Sequence, residues 1–135
     1  MHPNMQPLVN SNAGLWIGRI ISAWVVLFLA FDGGVKVLKL APAVEATAQM
    51  GYPVNLVAII GVIELGCLAV YLIPRTFVLG AILLTGFLGG AIASKVRLED
   101  PWFLFPAGVA ILVWAGPVLR HRQLRALVLW HSSLN

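Results

Sequence analysis

VNLVAIIGVIELGCLAVYLI, residues 54–73, decides how this chain folds. Glu64 is the only charged side chain in the run. At about 1.5 Å per residue a helix of this length is roughly 30 Å long, the thickness of a bilayer's hydrocarbon core. An ionised carboxylate at that depth costs at least ~2.5–3.5 kcal/mol. Glu64 therefore needs a cation, a proton or a water-filled cavity to offset its burial.

Three further apolar runs flank it. The first extends from about Leu15 to Leu40 and contains Asp32 and Lys36. Another covers Phe77 to Ser94 and is closed by Lys95 and Arg97, and the last covers Pro101 to Leu119 and is closed by Arg120. The whole chain of 135 residues is 60% hydrophobic and 10% charged, with a mean hydropathy of +0.92. That leaves too little polar side chain to cover a soluble domain. The sequence predicts an all-α integral membrane protein, a four-helix up-down-up-down bundle with short connections. Its parts are a polar N-terminal segment (1–14), a transmembrane domain (15–119) and a basic tail (120–135). The N-terminal segment lacks the basic start and small-residue cleavage site of a signal peptide, so the first run is expected to be retained.

Local signals refine this picture. Pro42 to Met50, with proline at its start and Gly51 after its end, reads as a short helix, and Glu45, Thr47 and Gln49 make it interfacial. Asp100-Pro101 reads as an N-cap and first helical residue, with a kink or break expected near Pro106. The tail mixes Arg120, Arg122 and Arg125 with Leu124, Leu127, Val128 and Trp130, as an amphipathic helix lying on anionic lipid would. With an even number of spans both termini share one side. That side carries Arg19, Arg75, Arg120, Arg122 and Arg125, against Lys36, Lys39, Lys95 and Arg97 on the other, so both termini are assigned to the cytoplasm.

The charged groups should converge. Trp24, Phe28, Asp32 and Lys36 are four apart and share one helix face, where Asp32 and Lys36 can pair. Asp32 falls ~24 Å along the helix from Trp16, near the level reached by Lys95 and Arg97. These five residues, Asp32, Lys36, Glu64, Lys95 and Arg97, form a candidate polar cluster that opens to the outer side and narrows toward Glu64. Three uses are open: ion pairs that fix helix register, a pocket for a quinone or other small lipophilic ligand walled by Trp24, Phe28, Tyr71 and Phe87, or a proton or ion path. A path needs polar groups across the whole membrane, and below Glu64 only Tyr71 and Thr85 are available.

Small residues Ala81, Thr85, Gly89 and Ala93 recur every four positions, with Gly86, Gly90 and Ser94 in a second row. Such rows let helices approach closely, either within the bundle or against another subunit. His2, His121 and His131 all lie near the chain ends, so no haem or metal site is expected inside the spans. No covalent cofactor, nucleophile–base pair or phosphate loop is indicated. The net charge of +4 is read as topology and lipid contact rather than nucleic-acid binding. Cys67, the single cysteine, excludes an internal disulfide and reads as a packing residue.

Several stretches taken together resemble the DoxX-like family of small bacterial membrane proteins: Phe-Asp-Gly-Gly-Val-Lys at 31–36, Met-Gly-Tyr-Pro at 50–53, Gly-Val-Ile-Glu-Leu at 61–65, Tyr-Leu-Ile-Pro-Arg-Thr at 71–76, Leu-Gly-Ala-Ile-Leu-Leu-Thr-Gly at 79–86 and Leu-Gly-Gly-Ala at 88–91. The likeness runs from about Trp16 to Leu127. It implies a four-helix protein of the bacterial inner membrane. The family takes its name from a subunit of a thiosulfate:quinone oxidoreductase, and other members accompany redox proteins as accessory membrane partners. A quinone-associated or accessory role, with a protein partner or homo-oligomer, is thus implied, and a non-enzymatic docking subunit is the alternative. By residue match, Asp32, Lys36, Glu64 and Arg97 carry over as the family-like polar positions. The third helix of such proteins often ends in a histidine before the basic residues; Ser94 stands there here, and no histidine chemistry carries over.

Overall fold

The computed structural model describes residues 12–121. The expected lipid-surface helix beyond His121 lies outside them, as does most of the polar N-terminal segment. The described elements are helical: α1 (Asn12–Val37), α2 (Ala41–Gln49), α3 (Val57–Leu72), α4 (Phe77–Arg97) and α5 (Leu104–Arg120). A single 3₁₀ turn precedes α3 (Val54–Leu56), and another precedes α5 (Pro101–Phe103). With these turns included, four helices are long and apolar enough to cross a membrane. The protein is a multi-pass membrane protein with the expected four-helix architecture.

α1, α3, α4 and α5 each pack on their neighbours in chain order, and α5 closes the ring against α1. The core is a column of Val25, Leu29, Leu68, Tyr71, Ala81, Leu84, Leu88, Val109 and Val113. Large apolar side chains such as Ile20, Leu27, Ile63, Ile82 and Ile111 point outward instead. A soluble bundle would hide such a belt; here it is the surface that lipid solvates.

Glycine permits a close approach of α1 to its neighbours at each end. Near one end, Gly18 meets Gly116 and Leu119 of α5. Near the other, Gly33 meets Gly61 and Leu65 of α3, where a Cβ on Gly61 would stand 2.7 Å from the Lys36 Cβ. Small residues at a crossing bring backbones together, which is the main packing device available in lipid.

Three helix ends at one end of the bundle stop the same way. Lys39 (φ 54°), Gly51 (φ 90°) and Glu99 (φ 55°) are left-handed. The following amides of Leu40, Tyr52 and Asp100 reach back to the carbonyls of Val35, Thr47 and Lys95 at 3.0, 3.3 and 2.9 Å. This is the Schellman arrangement, which satisfies carbonyls left over at a helix end. We call this the distal end, and the end where α1 begins and α5 finishes the terminal end.

The fourth span differs from expectation in one detail. Asp100 does cap it, accepting from the Trp102 amide at 2.9 Å, and that bond holds its carboxyl below the usual carboxylate range. The break comes earlier than Pro106, where the 3₁₀ turn gives way to α5 at Leu104. Pro106 then sits in the first helical turn, where a missing N–H leaves no bond unmade.

Candidate functional site

The Gly33–Gly61 crossing builds the site. It seats Gly61 against the base of Lys36, and one turn further along α3 the Glu64 carboxylate meets the end of the same side chain. Lys36 Nζ donates to Asp32 Oδ2 at 2.5 Å and to Glu64 Oε2 at 2.8 Å. Glu64 is 1% exposed, Lys36 14% and Asp32 35%. The ammonium also stands over the Phe87 ring, 5.5 Å from its centroid. One cation thus serves two carboxylates inside the bundle. Fully ionised, the three groups carry one excess negative charge, which a low-dielectric interior strongly disfavours. A proton on a carboxyl, or a positive or hydrogen-bond-donating ligand, would relieve it.

These groups line a cavity of about 330 Å³ at the distal end. Leu29, Leu88 and Val109 close its floor, and Phe28, Phe87 and Phe105 form aromatic walls. Phe28 and Phe105 meet edge to face at 5.2 Å. Pro42, Ala43, Thr47 and Met50 of α2 roof it, so the outward opening expected from the sequence is covered. The cavity instead reaches the lipid-facing surface at Phe31, which lines it yet is 71% exposed, and at half-exposed Phe105.

Asp32, Lys36 and Glu64 come together, and Lys95 joins them on the cavity wall, paired with Asp100 at 3.4 Å. Arg97 does not join. Its Nη2 donates to the Met50 carbonyl at 2.7 Å and fastens the end of α2 to α4. Of the four aromatic candidates, Phe28 and Phe87 line the cavity, and Trp24 stacks behind Phe28 at 5.3 Å. Tyr71 lies toward the terminal end, where its hydroxyl donates to the Val113 carbonyl at 2.8 Å. In a helix that carbonyl would accept from residue 117, and Pro117 has no N–H to give. Tyr71 supplies the missing donor.

The small-residue row divides. Ala81 is buried in the core. Thr85 donates to the Ala81 carbonyl at 2.7 Å and accepts from the Trp114 indole at 2.8 Å. Gly89 and Ala93 face outward. A Cβ added at Gly86, Gly89 or Gly90 would meet nothing within 4 Å.

Some contributors escape sequence reasoning. Phe31, Phe105 and Met50 line the cavity. Tyr52 ties the α2–α3 connection to α4 through Ser94 at 2.9 Å; Ser94 gives its own proton to the Gly90 carbonyl, so Tyr52 is the donor. The Pro117 position inside a helical run was the available signal for Tyr71; Tyr52 and Phe105 had none.

Residues 20–116, well over half of the chain and all of the cluster just described, match the DoxX-like family. The chain belongs to the DoxX-like family. No curated protein and no solved structure matches it significantly. In this DoxX-like protein the matched stretch supplies two ammonium donors, two carboxylate acceptors and an aromatic wall to one membrane-embedded cavity.

Proposed function

We propose that the distal cavity binds a small lipophilic ligand of the quinone type, and that the protein serves a membrane redox system as a quinone-associated accessory subunit. The observation that carries this reading is the Lys36 ammonium held between Asp32 and Glu64 on the wall of an aromatic cavity that reaches lipid. A cavity of this size lies at the small end of the range that encloses organic ligands. Lys36 and Lys95 would donate to the carbonyl oxygens of an oxidised ring. Asp32 and Glu64 would accept from the hydroxyls of a reduced one, and Glu64, with one net negative charge to share with Asp32, is the group suited to hold a proton. A quinone supplies two-electron, two-proton chemistry; electrons would come from a partner protein. In this reading the chain sits in a bacterial inner membrane with both termini cytoplasmic. Lys36 is paired inside the bundle, which removes one cation from the distal side and favours that orientation.

The test is Glu64→Gln, which keeps an acceptor for Lys36 and removes the charge. The variant should express and fold like wild type while quinone co-extracted in gentle detergent, or added as a short-chain analogue, falls to background. Wild-type quinone retention in the variant would overturn the ligand reading.

A second reading has its own support. The outward, unfilled face at Gly86, Gly89 and Gly90 favours a docking subunit whose third span, α4, packs on another membrane helix. Here the buried ion pairs would fix register only.

A further inference from the structure

A second cavity, of about 340 Å³, lies at the terminal end and includes Ser22, Tyr71, Phe77, Arg120 and His121 in its lining. We propose that it holds a phosphate group, as carried by an anionic phospholipid headgroup or by free phosphate.

The polar atoms there are under-used. Ser22 is 9% exposed, and its hydroxyl is buried without a hydrogen-bond partner, as is Arg120 Nε. Tyr71 gives its proton to Val113, so toward Ser22 its oxygen can only accept, a weaker outlet for the Ser22 proton than an anionic oxygen. A buried hydroxyl and a buried guanidinium nitrogen left unmatched cost free energy that a ligand would recover.

Charge says which ligand. Residues 1–31 and 101–135 contain neither Asp nor Glu. The five carboxylates, Asp32, Glu45, Glu64, Glu99 and Asp100, belong to the distal elements or to the Lys36 cluster. No side-chain carboxylate is therefore available to Arg120, while Arg19 and Arg75 add positive charge to the same end. Two helix N-termini and two C-termini meet there, so their dipoles roughly cancel and the side chains decide. Guanidinium with a neighbouring hydroxyl is the usual pairing for phosphate oxygens. The remaining lining, Val26, Leu72 and Phe77, is apolar, which suits the glycerol and upper acyl portion of a lipid.

The experiment is native mass spectrometry of the full chain, delipidated in detergent, with dioleoyl-phosphatidylglycerol, dioleoyl-phosphatidylcholine or inorganic phosphate added. Phosphatidylglycerol should be retained about tenfold better than phosphatidylcholine, which carries the same phosphate but sets its choline cation against Arg120 and its basic surroundings. Arg120→Gln should abolish the preference, Ser22→Ala should weaken retention several-fold, and exposed Arg19→Gln should leave it intact. Ser22→Ala removes a buried unpaired hydroxyl and should fold at least as well as wild type, so it decides the matter if Arg120→Gln fails to fold. Competition by inorganic phosphate at comparable concentration would identify free phosphate as the source; no competition would identify the lipid. Equal retention of the two lipids with no phosphate binding, or an unchanged preference in Ser22→Ala and Arg120→Gln, would overturn the proposal.

Discussion

Lys36 serves two carboxylates with one ammonium, and that asymmetry governs its substitution. Lys36→Met leaves Glu64 buried without a cation and should destabilise the protein by about 3–5 kcal/mol, read by thermal unfolding in detergent. Adding Glu64→Leu removes the orphaned charge and should restore most of that loss; if the double variant is as unstable as the single, the pair is not the source of the effect. Tyr71 offers a second case. Tyr71→Phe leaves the Val113 carbonyl with neither a proline N–H nor a hydroxyl and should cost about 1–2 kcal/mol, with faster local opening at the end of α5 in hydrogen exchange. These residues differ in how readable they are. Asp32 and Lys36 are one turn apart on a helix face, and Glu64 stands out by depth alone. Arg97, with the same charge and neighbourhood as Lys95, bonds a backbone carbonyl instead, because the end of α2 comes within its reach and no periodicity encodes that.

Elements follow the sequence closely where lipid imposes the rule. Each span needs its backbone bonds within one segment, so runs of apolar residues become helices with little alternative. Ends are less legible. Lys39 and Glu99 occupy left-handed positions that glycine normally fills, and neither announces itself as a helix stop. Lys39 is exposed, so Lys39→Gly should relieve the strained backbone and raise stability by about 1 kcal/mol, a small upward shift in the melting temperature. A fall instead would mean that the lysine side chain makes a compensating contact. The start of α5 shows the same limit: Asp100 and Pro101 mark its N-cap, but the 3₁₀ turn shifts the break from Pro106 to Leu104.

For the whole molecule, the four-span order was readable because hydropathy and short loops leave one compact arrangement. The position of α2 was not. Its polarity places it at the interface, but nothing in the sequence says that Ala43 and Thr47 turn inward and are buried, so that the helix roofs the cavity. The cavity's sideways mouth at Phe31 and Phe105 likewise depends on how α1 and α5 pack. The open face of α4 belongs to this scale too. Gly89→Leu has space for its side chain and should leave the isolated bundle as stable as wild type while releasing any co-purifying membrane partner. An undiminished partner signal would exclude this face as the contact.

The Asp32–Lys36 pair also bears on how the chain is made. α1 leaves the ribosome before α3, and within it one acid and one base a turn apart cancel each other. The distal half of the first helix can therefore enter the bilayer without net charge. Glu64 arrives later to a cation already in place, so the costliest side chain in the protein never has to wait in lipid for its partner to be synthesised.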